Sequence, residues 1–298
     1  MASLKRMSVG AINITIQPHS EKKYVDLFKA AFKLKRVVKL NSTSGALLAG
    51  VRSYPWCDDS IKPVTGDIWR FTQIDTDAPW INIETNDIAT DDDKESLNIP
   101  PNLRPNGSRF SYIFYPDKHM LFYESYYDKK TLGPTVATDF FNKLFSQEEI
   151  VEKFGEVEVT HLPDINGLEE ALNIPFKRSI ETVFKKPNPD SFAKEEAAFL
   201  NRMKKNKVQR IEQKFIADAE QSIEVDDGLK VLAHIAAKNG SLKIKGRDHA
   251  SKPIEYSTVS QPFKETEMYD PSEESMPIAF MYRMTSKLKT ILSNKLSK

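Results

Sequence analysis

Residues 176–215 read FKRSIETVFKKPNPDSFAKEEAAFLNRMKKNKVQRIEQKF, and this stretch decides the fold of the second half of the chain. Apolar and polar residues alternate at both of its ends, which predicts two strands, and a helix opened by Asp190 lies between them. The stretch contains eleven Lys or Arg residues and five acidic ones, the strongest charge bias in the chain. We therefore expect the second half to be built on a basic sheet.

The same succession of strand and helix patterns continues to residue 247 and predicts a β-α-β-α-β order. Its elements are strand Ser179–Lys185, a helix from Pro189-Asp190-Ser191 to Asn206, strand Arg210–Ala217, a helix from Asp226 to Asn239-Gly240, and strand Leu242–Arg247. A hairpin across residues 252–269 and a helix over about residues 275–296 complete the predicted region.

Strand parity predicts where the charges of this sheet lie, because alternate side chains project to opposite faces. One parity is apolar, as at Ile180, Phe215 and Ile244, and the two helices are expected to cover it. The other parity carries cations that we call the basic sheet face: Lys185, Arg210, Lys214, Lys243, Lys245 and Arg247. Only Glu181 and Glu212 oppose them by this count, so the face is suited to phosphates. The end of the first helix adds outer contacts at Arg202, Lys204, Lys205 and Lys207.

The first half of the chain predicts an acidic α+β region with a mixed or antiparallel sheet and helices. Its clearest elements are a strand over 7–17, a helix over 21–36 capped by Ser20, a hairpin of Arg109–Tyr115 with Met120–Tyr126, and a helix over Thr135–Phe154. Residues 86–107, which include three consecutive aspartates, predict an exposed acidic loop. We place the boundary near residues 162–177 and divide the chain into domains 1–175 and 176–298.

The overall composition is that of a folded protein, with 298 residues, 40% hydrophobic and 10% aromatic. The formal net charge of +1 conceals an asymmetry. Residues 1–175 contain 20 Lys or Arg and 25 Asp or Glu, a net of −5, and residues 176–298 contain 23 and 17, a net of +6. This asymmetry is typical of proteins that bind nucleic acid or anionic surfaces. A basic half that docks on its own acidic half has the same composition, so both interpretations stay open.

The single cysteine, Cys57, excludes an internal disulfide framework and suits a reducing compartment. The first residues, MASLKRMSVG, lack the apolar core of a signal peptide. No run approaches the roughly 18 apolar residues of a membrane span. The sequence therefore predicts a cytoplasmic protein without a membrane segment.

One short pattern suggests catalysis. Pro189-Asp190 and Glu212-Gln213-Lys214 match the P-D…E-x-K arrangement, in which two carboxylates hold Mg²⁺ and the lysine helps to activate water. Restriction-type nucleases place these residues on adjacent strands, whereas here a helix intervenes and Asp190 is expected to cap it. The histidines have no metal-ligand spacing and no glycine-rich phosphate loop occurs. An enzyme is thus the less favoured interpretation, and we expect no cofactor and no resident metal.

The last predicted helix is amphipathic and basic. Met281, Met284, Leu288 and Ile291 recur at 3-4 spacing, which is the pattern of a helix-packing seam. The seam predicts either docking on the rest of the chain or association of two copies. We favour a homodimer.

Several blocks of the first half carry a resemblance that covers most of the chain. NITIQPHSEKKYVDLFKAAFKLKRVVKLN…GALLAG, APWINIET, FYESY…KTLGPTVATDFFNKLF and FGEVEVT resemble a bacterial family of unknown function associated with mobile elements and phage defence. The second half is similar in layout to the lambda Rex exclusion protein A and to the B component of the Kiwa defence system, through Lys177-Arg178 and Asn188-Pro189. This resemblance implies DNA binding by a dimer.

These observations predict a nucleic-acid-binding protein that acts in phage defence. It is expected to contact the phosphates of nucleic acid, duplex DNA before RNA, with little sequence preference. The first alternative is a protein-interaction or sensor module whose basic half docks on its own acidic half or on a phage or host protein. The second alternative is a Mg²⁺-dependent nuclease using Asp190, Glu212 and Lys214.

Overall fold

The computed structural model describes residues 4–18, 20–54, 62–95, 99–127, 129–185, 199, 201–203 and 205–296. The chain is a mixed α+β protein, which confirms the predicted class. The described strands are β1 (Lys5–Ile16), β2 (Val38–Lys39), β3 (Ser44–Leu48), β4 (Arg52–Ser53), β5 (Val64–Thr72), β6 (Ile81–Asn82), β7 (Asp87–Ile88), β8 (Ser108–Tyr115), β9 (Met120–Tyr127), β10 (Lys130–Thr131), β11 (Val157–His161), β12 (Phe176–Lys185), β13 (Arg210–Ile216), β14 (Gly240–Arg247), β15 (Pro253–Ser257) and β16 (Lys264–Tyr269). The helices described over their full length are α1 (Glu21–Lys33), α2 (Asp91–Glu95), α3 (Pro134–Phe145), α4 (Glu148–Phe154), α5 (Ile165–Leu172), α6 (Asp227–Asn239) and α7 (Met276–Leu296).

Ten strands form the first sheet, whose central order is β11-β1-β9-β8-β5-β3-β2 with antiparallel pairing throughout. β1 organises it because it is paired along both edges. β9 lies along one edge, while residues 12–16 pair with β11 and residues 5–10 with β16 along the other. The predicted hairpin is confirmed as β8 and β9. The second sheet has the order β13-β12-β14-β15 and is also antiparallel.

Helices α1, α3 and α4 cover one face of the first sheet, and aromatic side chains dominate this core. The ring of Phe28 stacks on Phe114 with centroids 4.8 Å apart and meets Phe145 edge-on at 5.6 Å. The start of α1 is capped as predicted, since the backbone N–H of Lys23 donates to Ser20 Oγ at 3.2 Å. Large aromatic side chains contribute most of the buried apolar area in such a core.

The predicted single helix over residues 135–154 is wrong, because the structure has two helices there. Gln147 has extended backbone angles (φ −62°, ψ 141°) and is the N-cap of α4. The Ser146 hydroxyl and the Gln147 side-chain amide donate to the backbone oxygen of Lys143, at 3.2 and 2.8 Å, so the end of α3 keeps hydrogen-bond partners. Because of this break, Phe145 of α3 and Ile150 of α4 are buried in the same core. No Gly or Pro marks it in the sequence.

The predicted hairpin across residues 252–269 is also wrong, because its two strands belong to different sheets. β15 pairs with β14, whereas β16 pairs with β1. Between them the chain crosses from the second sheet to the first. The backbone N–H of Phe263 donates to the Leu162 oxygen at 2.6 Å, and the Phe263 ring packs on Phe122 with centroids 6.1 Å apart. Burial of Phe263 beside the first sheet thus directs the chain away from a hairpin turn.

The predicted acidic loop over residues 86–107 is exposed but contains the short elements β7 and α2. The aspartates at 91–93 form the first turn of α2, where negative charge complements the helix dipole. Asp93 accepts a hydrogen bond from the backbone N–H of Thr90 at 2.9 Å, and this bond lowers the pKa of Asp93. Among the described residues no group of three or more His, Cys, Asp or Glu is placed to hold a metal ion.

The last helix, α7, packs on the opposite face of the first sheet. Its Phe280 and Met284 are fully buried against Met7 of β1 and Phe122 of β9. β16 and α7 therefore return the end of the predicted basic region to the first sheet. The division into independent domains at residue 175 stays a prediction. The residues of the two sheets do not separate at this position, because β16 lies after it and belongs to the first sheet. In the part of the chain that the structure describes, no helix is long and apolar enough to cross a membrane.

Candidate nucleic-acid interface

The second sheet is covered on one face by α5 and α6. Ile180 of β12 and Leu242 of β14 are fully buried there. α6 begins as predicted at Asp226, whose carboxylate accepts a backbone hydrogen bond at 2.7 Å, and ends at Gly240. A Cβ at Gly240 would lie 1.9 Å from the backbone oxygen of Val183, so this close approach of β14 to β12 requires glycine. The predicted apolar parity is confirmed.

The opposite face of the second sheet carries in one layer all members of the basic sheet face, Lys185, Arg210, Lys214, Lys243, Lys245 and Arg247. The strand register places Glu181 of β12 directly between Lys214 of β13 and Lys243 of β14. The side chains of Lys214 and Lys245 are 57% and 49% exposed. Alternate residues along β14 lie about 6.6 Å apart, so its cations form a regular row. The sequence pattern thus located an exposed and ordered set of positive charges.

Glu255 was missed by the sequence reasoning, and it changes the charge of this face. Its carboxylate lies 2.8 Å from Lys243 Nζ and 3.6 Å from Lys245 Nζ. β15 places it there by pairing with β14, with Lys245 directly opposite Glu255. Cations therefore outnumber acids on the sheet six to three, not six to two. The signal that could have found it is the alternation around Ile254 and Tyr256, which assigns Glu255 to the outer parity.

The lysines of β13 and β14 are held in short ion pairs across the strands. Lys214 Nζ lies 2.9 Å from a carboxylate oxygen of Glu181, and this hydrogen bond lowers the pKa of Glu181. The hydrogen bond to Glu255 raises the pKa of Lys243, and the same bond lowers the pKa of Glu255. Glu181, Lys243 and Glu255 therefore remain charged at neutral pH. Exposed pairs of this kind contribute little to stability, so a polyanion can compete for the lysines.

One end of the basic sheet face touches the first sheet. Lys185 Nζ lies 2.7 Å from a carboxylate oxygen of Glu158 on β11, and the side-chain amide of Gln209 donates to Glu156 at 2.8 Å. Beside them Arg210 pairs with Glu212 on its own strand at 2.6 Å. Acidic residues of the first half therefore meet the basic half at this edge, and Glu169 of α5 meets it again at Lys230 of α6, 3.5 Å away.

The predicted outer contacts lie beside the sheet rather than on its open face. Arg202, Lys205 and Lys207 are exposed, and Lys204 lies outside the described residues. Their helical segment is anchored by Met203, which is fully buried, and by Phe199, whose ring lies 4.6 Å from that of Phe184 on the covered face. Lys207 precedes the start of β13 and so flanks the Lys185–Arg210 end of the face.

The Lys177-Arg178 pair has structural contacts. Lys177 is largely buried, its ammonium donates to the backbone oxygen of Ile174 at 2.8 Å, and burial lowers the pKa of Lys177. Arg178 donates to the backbone oxygen of Gln221 at 3.0 Å. Both cations are therefore engaged in holding the start of β12, and Asn188-Pro189 lies outside the described residues.

Half of the nuclease pattern can be located. Glu212 and Lys214 lie on the same face of β13, but Glu212 pairs with Arg210 and Lys214 pairs with Glu181. Asp190 lies outside the described residues, as does the predicted helix start around it. Glu212 and Lys214 are therefore both engaged in ion pairs with other side chains. These described residues of the pattern do not converge on a metal position.

Comparison with known proteins places the chain in a family without assigning an activity. No curated protein matches the chain significantly. A family profile described as "Domain of unknown function (DUF4747)" matches residues 5–285, which include both sheets and the buried part of α7. The protein belongs to the DUF4747 family.

Proposed function

We propose that this protein binds nucleic acid, duplex DNA before RNA, through the basic sheet face. The observation that carries the proposal is an open sheet face on which six cations stand in register against three acids. α5 and α6 pack on the other face, and among the described residues of this one Lys214 and Lys245 are exposed to a second molecule. Phosphate contacts of Lys and Arg supply affinity that is largely independent of sequence.

The shape and charge of the face favour a backbone contact over base readout. It is a sheet surface on which Glu181 and Glu255 pair with the ammonium groups of Lys214, Lys243 and Lys245. Cations spread over a broad sheet face reach phosphates at the surface of a duplex more readily than base edges deep in a groove. Low sequence preference follows from this geometry.

The test is a mobility-shift titration of the full chain on duplex DNA, single-stranded DNA and RNA at two salt concentrations. The key variant replaces Lys243, Lys245 and Arg247 by Gln, because Glu would set like charges against Glu181 and Glu255. We expect binding to weaken. The slope of log K against log salt should become less steep by about 2.7, which is roughly 0.9 for each of three lost phosphate contacts.

A matched control replaces three exposed lysines of α1, Lys22, Lys29 and Lys33, by Gln. It changes the net charge by the same amount on a surface far along the chain from the second sheet. Equal loss of binding in both variants would show that overall charge, and not this face, is responsible. Unchanged binding by a folded sheet variant would exclude the face altogether.

The setting that we propose for this binding is phage defence, on the strength of the family resemblance in the sequence. Comparing phage plating efficiency on cells with the wild-type protein and with the Gln variant of the sheet tests it. Protection that depends on the three cations would join the defence role to the proposed binding. Equal protection in both strains would show that the defence role does not depend on the proposed binding.

A second candidate is a protein-interaction module whose basic sheet face meets an acidic protein. The contacts of Lys185 with Glu158 and of Gln209 with Glu156 favour it, because they show this half accepting acidic side chains. Absence of nucleic-acid binding at low salt would select this candidate. The nuclease alternative predicts Mg²⁺-dependent cutting that is lost in Glu212→Ala, and intact substrate would retire it.

A further inference from the structure

A second positively charged site lies between the first sheet and the start of α7, away from the basic sheet face. It is a cavity of about 860 Å³ bounded by β1, β9, β16 and the first turn of α7. This volume lies within the range of cavities that hold small organic ligands. The cavity exists only because the chain returns from the second sheet, since β16 and α7 form two of its walls.

The lining of this cavity is cationic. Its described lining contains Lys5, Arg6, Arg109, Lys129 and Lys264 and one acid, Glu274, and Arg109 is itself paired with Asp67 at 3.7 Å. Glu274 is already engaged, since its carboxylate lies 2.8 Å from Arg283 and both side chains are mostly buried. Among the described residues no ion pair involves Lys5, Arg6, Lys129 or Lys264. The cavity therefore has an excess of positive charge that the described protein groups do not neutralise.

The first turn of α7 adds a second feature that favours an anion. Ser275, Met276 and Pro277 line the cavity at the point where this 21-residue helix begins. The backbone N–H groups of a first helical turn have no partner within the helix, and the dipole makes this end positive. Phosphate groups bind readily at such a terminus. Pro277 has no backbone N–H, so Ser275 and Met276 supply the donors at this end, and both they and the lysines favour a phosphate group.

Aromatic rings form the remaining wall. Tyr126 and Tyr127 at the end of β9 line the cavity and are partly exposed, and Tyr269 of β16 also lines it but is nearly buried. Tyrosine rings offer flat faces on which a nucleobase can stack, and stacking tolerates any base. A ligand that suits both the cations and the rings carries phosphate at one end and a planar ring at the other.

We propose that this cavity binds a nucleotide, with its phosphates among the lysines and the α7 terminus and its base against the tyrosines. The site is separate from the basic sheet face. That face lies on the second sheet, and we propose that it contacts the phosphates of duplex DNA. A free nucleotide and the end of a single strand share this chemistry, and the test separates them.

The experiment measures binding to the full chain by calorimetry and thermal shift without divalent cations. The probes are ATP, AMP, tripolyphosphate, adenosine and a single-stranded trinucleotide. We expect ATP to bind more tightly than tripolyphosphate, which lacks a ring, and than adenosine, which lacks phosphate. The double variant Arg6→Gln with Lys264→Gln should raise the Kd for ATP about tenfold or more, because two charge-assisted contacts are lost.

Two control variants locate the site. The Gln variant of Lys22 with Lys29 on α1, which matches the change in charge, should bind ATP like the wild type. The sheet variant at Lys243, Lys245 and Arg247 should do the same. Loss of ATP binding in either control, or no binding of any nucleotide to the wild type, overturns the proposal.

The trinucleotide distinguishes the two sources of the ligand. If it binds more tightly than AMP and loses affinity in the Arg6 and Lys264 variant, the cavity holds the end of a strand. If AMP and ATP bind at least as tightly, the ligand is a free nucleotide. Both results support the site, whereas trinucleotide binding that the variant leaves unchanged contradicts it.

Discussion

Glu124 on β9 shows what the fold imposes on a single side chain. It is fully buried, one carboxylate oxygen accepts the backbone N–H of Ser111 at 2.6 Å, and the other has no hydrogen-bond partner among the described residues. Burial raises the pKa of Glu124 to about 7, the Ser111 hydrogen bonds and Arg109 act in the opposite direction, and Asp67 adds to the increase. The neighbouring Tyr269 also faces it, and burial followed by the Glu124 charge raises the pKa of Tyr269. The fold therefore prefers the protonated form of Glu124.

The first prediction is that Glu124→Gln removes part of the pH dependence of stability. Because the pKa of Glu124 is higher in the folded chain than in the unfolded one, its stabilising contribution is complete below about pH 4.5 and is lost as the pH rises through about 7. The difference corresponds to a free energy of unfolding on the order of 3 kcal/mol. The Gln amide keeps an acceptor for Ser111, so the variant should be the more stable protein at pH 8.

Urea unfolding of the wild type and of Glu124→Gln at pH 5 and pH 8 measures this effect. Other groups titrate equally in both proteins, so the difference between the two curves isolates Glu124. Parallel stability curves over this pH range would contradict the burial of an ionisable carboxyl group at this position.

At the scale of the element, α7 decides how the end of the chain is used. Its described inner positions, Ala279, Phe280 and Met284, are fully buried on the first sheet, while Ile278 and Tyr282 are 62% and 67% exposed. The apolar seam seen in the sequence is thus used, at Met284, for docking within the chain. The side chains of Leu288 and Ile291 lie outside the described residues, and the homodimer stays a prediction.

The second prediction compares two aromatic residues of this helix. Phe280→Ala should lower the free energy of unfolding by about 3–5 kcal/mol, because it removes a fully buried ring and leaves a cavity. Tyr282→Ala, on the exposed side of the same helix, should change it by no more than about 0.5 kcal/mol. Equal effects in chemical denaturation would mean that α7 does not pack on the sheet as described.

At the scale of the whole molecule, the chain leaves the first sheet, builds the second and returns. α5 belongs with the second sheet, since Leu168 and Leu172 share its core. β16 and α7 belong with the first sheet, where they cover Met7 and Val9 of β1. The last strand of the first sheet therefore follows the whole second sheet in the sequence.

The third prediction concerns fragments. Residues 163–263 contain the second sheet with α5 and α6 and should unfold cooperatively on their own. Residues 1–162 lack β16 and α7, which exposes the apolar face around Phe122 and leaves residues 5–10 of β1 without a partner on one edge. That fragment should aggregate or bind an apolar dye, and calorimetry with dye binding measures both. A stable, cooperative fragment 1–162 would show that the returning segment is dispensable.

Part of the candidate site was predictable because it depends on local pattern. Side chains on a strand alternate between faces, so Ile180 and Lys185 reveal which parity is covered and which is open. Caps such as Ser20 and Asp226 mark helix starts for the same local reason. Glu255 was missed because its position beside Lys243 depends on the pairing of β15 with β14.

The sequence by itself determined the type of most elements, the α+β class and the exposed row of cations, because hydrophobic periodicity and capping act over a few residues. Only the tertiary structure decided that Tyr269 pairs with Lys5, that α7 closes the first sheet and that a cationic cavity forms between them. The pairs between β1 and β16 join residues more than 250 positions apart. Such pairings depend on which buried surfaces fit each other, and the local sequence pattern does not reveal that fit.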